Sequence, residues 1–268
     1  MPIISFSNDR TVAGNGVYLL SFLHDQEVSR IVDYSARQGR ARMVALLPKD
    51  ALGDQLEQSL RAATARSGVT LVALERYALN TNAILAPARK IHDAIKAASP
   101  EAPVNAMFLP GGEDTLPMVA PFIPYLGIDT KQVQLLGTGG WDTPIIAREK
   151  AFAGGWFAAP DPRGWKTFSE RFAKSYGAPP PRLASLPYDA WGVAAAFTGR
   201  SRNGRYGAAT LTRASGFSGI DGRFRLSASG LVERDLAVLE VRREGSTVIE
   251  GAPAGEPGRL YTSALARS

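Results

Sequence analysis

Between Phe22 and Phe157 the chain alternates short apolar runs with helical stripes, and this rhythm constrains the fold more tightly than any other feature. Val28, Ile31 and Val32 share one face of a helix that starts at His24 or Asp25 and stops at Gly39. Arg42 to Leu47 is a strand closed by Pro48. Leu52, Leu56, Leu60 and Ala63 recur at helical spacing before Gly68, and Val69 to Leu74 is again strand-like. Ile84, Ala88, Ile91 and Ile95 mark a helix that ends before Pro100. Strands at 104–109 and 133–136 bracket a helix carrying Val119, Phe122 and Leu126, and 152–157 reads as one more strand. Near-continuous apolar strands need helices on both faces, so this layering predicts an α/β unit with a mostly parallel sheet.

The pattern changes on either side. Pro2 to Ser7 reads as a strand entering the polar loop Asn8-Asp9-Arg10, either an edge strand or the remainder of a longer element. Trp165, Phe168, Phe172 and Tyr176 form an aromatic stripe at helical spacing, and Tyr188 to Phe197 is an alanine-rich second helix. Short alternating strands follow at 222–226 and 236–241, and the tail from Gly251 is rich in Pro, Gly, Ala and Ser.

Composition narrows the function classes. The chain has 268 residues and no cysteine, which excludes disulfides, thiol nucleophiles and cysteine-ligated metals. The net charge of +6 is modest, and its arginines (Arg37, Arg40, Arg42, Arg200, Arg202, Arg205) are scattered rather than gathered in the stripe that nucleic acid requires. No apolar run approaches a membrane span, and Met1 to Arg10 lacks the pattern of a signal peptide.

In open parallel sheets ligands sit beyond the carboxyl ends of the strands. Those ends carry Pro48-Lys49-Asp50-Ala51-Leu52-Gly53, Pro110-Gly111-Gly112-Glu113-Asp114-Thr115 and Gly137-Thr138-Gly139-Gly140-Trp141-Asp142. Two readings stay open for them: glycines that let backbone pass close to a ligand, or plain helix caps at Asp50, Asp114 and Thr115. Trp141 is an expensive residue in such a loop unless it packs on a ligand, a lobe or a partner. No nucleotide-binding glycine motif, nucleophile elbow or His-centred constellation is present, so no enzyme, metal or cofactor is expected.

Four segments resemble the type I periplasmic binding protein superfamily, in its Leu/Ile/Val-binding-like branch. They are 2–9 (PIISFSND), 45–53 (ALLPKDALG), 186–191 (LPYDAW) and 216–226 (GFSGIDGRFRL). Within that branch the chain resembles the penicillin-binding protein activators. The resemblance implies two three-layer αβα lobes with parallel sheets, lobe one being incomplete. Residues 1–21 would be a remnant of lobe one, 22–157 a complete lobe two, and 158–235 a return segment to lobe one. Residues 236–250 would close lobe two, and 251–268 would be a flexible tail. Helices left without part of their sheet would expose apolar surface that invites a partner or a homodimer.

By the same resemblance the ligand cleft is lined from lobe two by Asp50, Leu52, Gly112, Glu113, Trp141 and Asp142, and from lobe one by Ser7, Asn8, Asp9, Tyr188 and Asp189. Asp142 would take the ammonium group of an amino acid or peptide-like ligand. The implied role is that of a non-enzymatic activator that contacts a peptidoglycan synthase, in the periplasm or as an outer-membrane lipoprotein. The alternative is the substrate-binding protein of an ABC importer, partnered by a permease.

Overall fold

The computed structural model describes residues 2–197 and 206–253. Arg200, Arg202 and Arg205, and the expected tail beyond residue 253, lie outside the described residues. The chain divides into two compact units, one built from 2–23 and 160–236 and a second from 24–159 and 237–251.

Unit two follows the predicted rhythm. Strands β3 (Arg42–Pro48), β4 (Thr70–Tyr77), β5 (Ala106–Phe108), β6 (Gln134–Gly137) and β7 (Trp156–Ala159) are parallel, in the spatial order β4-β3-β5-β6-β7. An antiparallel hairpin, β11 (Ala237–Arg242) and β12 (Gly245–Glu250), extends the β7 edge to seven strands. Strand residues alternate between two cores. Met43, Ala45, Leu47 and Phe108 face α1 (His24–Arg37) and α2 (Ala51–Ser67). Val44, Leu46, Met107 and Phe157 face α3 (Thr81–Ala97) and the short helices α4 (Leu116–Val119), α5 (Phe122–Tyr125) and α6 (Pro144–Arg148). The order reverses between β3 and β5, the place where a doubly wound sheet opens a crevice at its carboxyl edge.

Several elements differ from the sequence reading. The single helix expected around 119–126 is two short ones, with Pro121 capping the second. The strand expected at 152–157 is a 3₁₀ turn, Lys150–Phe152, followed by Gly154 in the left-handed region and then β7. Strand β12 is not evident in the sequence, because its apolar residues, Val248 and Ile249, are adjacent and show no alternation.

Unit one is smaller and mixed. It holds the parallel pair β1 (Ile3–Ser5) and β2 (Val17–Leu19) and an antiparallel sheet of β8 (Phe217–Gly219), β9 (Gly222–Leu226) and β10 (Val232–Arg234). Leu20, Phe197, Phe217, Phe224 and Leu226 form its core. Helix α7 (Pro162–Tyr176) carries the aromatic stripe but has no buried residue, and helix α8 (Ser185–Ala195) leaves Trp191 73% exposed.

Leu60 is fully buried between α2 and the sheet. Leu60→Ala is expected to lower the unfolding free energy by about 2–5 kcal/mol, read as a lower urea midpoint at unchanged slope. A loss under about 1 kcal/mol would mean that this face is not packed as described.

Candidate ligand-binding face

Three loops meet the carboxyl edge of the unit-two sheet. After β3, the Asp50 carboxylate accepts the Gly53 N–H at 2.8 Å and caps α2. A Cβ on Gly53 would lie 1.9 Å from the Pro48 carbonyl oxygen, so only glycine permits this tight turn. Arg76 locks it from β4, donating to the Pro48 and Asp50 carbonyls at 3.0 and 3.2 Å and pairing with Asp54 and Glu57. Leu52 turns inward and packs against the α1/α2 core. Beside the turn Tyr77 is fully buried, and burial pushes its phenol up to about 12. Its hydroxyl lies near Thr115 and Asp50 without a hydrogen bond of standard geometry among the described residues.

After β5, Gly111 takes a φ of 147°, and the Gly112 N–H donates to Thr115 Oγ1 at 3.2 Å. Glu113 and Asp114 are exposed. After β6 comes the glycine-rich loop. A Cβ on Gly140 would lie 2.4 Å from the Gly111 carbonyl oxygen, so the second and third loops touch through backbone alone. Asp142 is exposed and accepts from Ser246 Oγ at 2.8 Å, which ties the loop to β12.

Trp141 is only 1% exposed, which corrects the expectation that it packs on a ligand, a lobe or a partner. Its indole fills the unit's own core against Phe152 and Phe157, and Nε1 donates to the Leu109 carbonyl at 3.0 Å. A Cβ on Gly137 or Gly155 would lie 2.1 or 2.5 Å from its ring. Those two glycines exist to seat the indole.

The residues expected from unit one lie in the turn after β1 and on α8. Ser7 and Asp9 make a local turn after β1: Ser7 Oγ accepts the Asp9 N–H, and Asp9 accepts from the Thr11 N–H and hydroxyl. Asn8 is exposed. Tyr188 is half-exposed and sets its ring edge-on to Phe168 at 5.1 Å. Asp189 is buried and accepts the Ile220 N–H at 2.8 Å, so it braces α8 to the β8–β9 turn rather than facing solvent. Burial pushes its carboxyl up to about 6, against the opposing Ile220 hydrogen bond and the Arg234 charge.

Local patterning signalled Asp50, Gly112 and Asp142. It did not signal Tyr77, Arg76, Ser246 or the buried Glu27 of α1, which reach the loops across the sheet. Among the described residues no group of three or more His, Asp or Glu side chains is placed to hold a metal ion.

A family model for periplasmic binding proteins matches residues 1–246, and the chain belongs to that family. Its fold resembles the type I periplasmic binding protein architecture. The fold is similar to an ABC-transporter substrate-binding protein from Desulfitobacterium hafniense solved with Leu (TM-score 0.66, 19% identity, 87% of this chain and 68% of that one). It is also similar to a leucine-binding protein from Thermotoga maritima (TM-score 0.66, 17% identity, 92% and 71%). A third similar fold is a solute-binding protein from R. palustris in complex with benzoate (TM-score 0.64, 17% identity, 90% and 68%). No curated protein matches the chain in sequence. The solved neighbours are transporter-type binding proteins, and they overturn the expectation of a penicillin-binding protein activator that contacts a peptidoglycan synthase.

Two predictions follow from this geometry. Trp141→Phe leaves the Leu109 carbonyl without its donor and is expected to cost about 1–3 kcal/mol in urea unfolding; an unchanged midpoint would refute the anchoring role. Asp189 binds its proton more tightly in the folded state than in the unfolded one, so its unfavourable contribution is present above about pH 6 and is relieved as pH falls towards the ordinary carboxylate range. The melting temperature of Asp189→Asn relative to wild type should therefore be higher at pH 7.5 than at pH 5. Equal differences at both pH values would contradict the assignment.

Proposed function

We propose that the chain is the substrate-binding protein of an ABC importer for amino acids or similar small solutes, acting in the periplasm with a permease as partner. The observation that carries this reading is the build of the unit-two carboxyl edge. Three strand-end loops lie at or beside the point where strand order reverses. Two of them touch backbone to backbone through Gly111 and Gly140. Asp50, Glu113 and Asp142 are exposed carboxylates that belong to these loops. Such an edge offers negative charge to a solute's ammonium group, and Asp142, held in place by Ser246, is the residue assigned to it. The solved neighbours with leucine and with benzoate support a small organic solute as the ligand class.

Thermal-shift measurement against amino acids and aromatic acids tests the reading. Ligand at a hundred times its dissociation constant adds about 2.7 kcal/mol of stability. For a chain of this size that is a rise of about 5–10 °C. The amino-acid shift should vanish in Asp142→Ala. Failure of every solute to stabilise a cooperatively folded protein would overturn the proposal, and a shift with benzoate alone would remove the ammonium assignment.

A further inference from the structure

We propose that Glu27, paired with His24, is a positioning residue for the Thr138–Asp142 loop, so that solute binding at this face tightens when the pair is charged and slackens when His24 loses its proton. The proposal deepens the solute-binding reading above and rests on it.

Glu27 lies in the first turn of α1 and is only 5% exposed, an unusual position for a carboxylate on a helix. Its two oxygens face different ways. Oε2 lies 3.2 Å from His24 Nδ1. Oε1 faces the loop: a Cβ on Gly139 would lie 2.6 Å from it and 3.7 Å from the Ala158 carbonyl oxygen. The loop backbone therefore passes close to this carboxylate, and a side chain at 139 would displace it.

The next residue, Gly140, abuts the Gly111 carbonyl, and Asp142 closes the loop against Ser246. A shift of the carboxylate is passed to Gly139 and then to the contact between the two glycine loops. The indole of Trp141 anchors the loop separately, through its hydrogen bond to the Leu109 carbonyl.

The Glu27 hydrogen bond raises the His24 imidazole above the ordinary histidine range, against the opposing effect of burial. The Glu27 and Asp25 charges on the same helix add to the rise. From the β6 loop and from β7, Gly139 and the Ala158 carbonyl lie beside Glu27, and neither titrates. The ion pair is complete below the ordinary histidine range and is lost as pH rises through the folded value. By linkage, a solute that needs the ordered loop must raise the proton affinity of His24 in return.

The experiment uses the full chain with L-leucine as probe, measured by calorimetry at pH 5.5 and 8.0, together with an NMR titration of the two histidines. The histidine signals are assigned with His92→Gln. Wild-type affinity is expected to fall about fivefold or more between the two pH values. Glu27→Gln should bind more weakly at pH 5.5, show a flat profile and return His24 to the ordinary range. His24→Gln keeps the carboxylate and should also be flat, and it carries the test if Glu27→Gln does not fold. A wild-type pH profile in both variants overturns the proposal.

Failure of leucine and every other solute to bind is a failure of the functional reading. The brace is then judged alone, by hydrogen-exchange protection of the Gly139 and Gly140 amides. Protection should drop from pH 5.5 to 8.0 in wild type and be low at both in Glu27→Gln. Equal protection throughout overturns it.

Discussion

The indole of Trp141 is the contact on which the candidate ligand-binding face depends. Its ring occupies space that a side chain on Gly137 or Gly155 would claim, and its single N–H spans from the β6 loop to the last carbonyl of the β5 end. A buried donor without a partner is costly, so ring and carbonyl hold each other in one register. Because β5 and β6 are parallel neighbours, fixing one loop against the other's strand end also fixes the separation of the glycine loops above. Rigidity beneath the face lets the backbone above it stay lean. Gly111, Gly112 and Gly140 offer main-chain groups without side chains because the shape is set from below.

Much of the unit-two layering was legible because it rests on periodicity, which is local. Val28, Ile31 and Val32 on α1, or Leu56, Leu60 and Ala63 on α2, are core residues that spacing alone identifies. The candidate site was legible only where a cap or a turn residue carried the signal, as at Asp50 and Gly112. It was misread at Trp141, where an aromatic residue among glycines suggested packing on a ligand, a lobe or a partner. The glycines that explain it, Gly137 and Gly155, lie four and fourteen residues away and show their purpose only when the strands are paired. Strand β12 escaped for a related reason. Its two apolar residues, Val248 and Ile249, are adjacent and leave no strand period to read.

Unit one is organised by different physics. Its small sheets cannot bury a large apolar area, and a polar cluster takes part of the burden. Arg182 pairs with the fully buried Asp221 at 2.6 Å and lies over the rings of Phe22 and Trp165. Arg234 lies over Phe22 and Phe224 and donates to the Ser21 carbonyl. Buried charges of this kind add little net stability but fix geometry, since any rearrangement would strand an ion. The cluster thereby sets the β8–β10 sheet against Ser21 and Phe22, while Tyr176 of α7 and Tyr188 and Trp191 of α8 remain exposed.

The hairpin β11–β12 has a consequence for how the protein is made. It supplies the β7 neighbour, the Ser246 hydroxyl that holds Asp142, and the Glu250 carboxylate that pairs with both Arg30 and Arg37 of α1. All three attachments join residues separated by at least about eighty positions along the chain. During synthesis, residues 24–159 can collapse early, but the β7 sheet edge stays open until the hairpin has been made, and Glu250 joins α1 last. The ribosome therefore releases the last clasp of this unit after the whole of unit one has emerged. A premature stop anywhere between the two would leave a nascent sheet with an open flank, which is a substrate for chaperones rather than a smaller working protein.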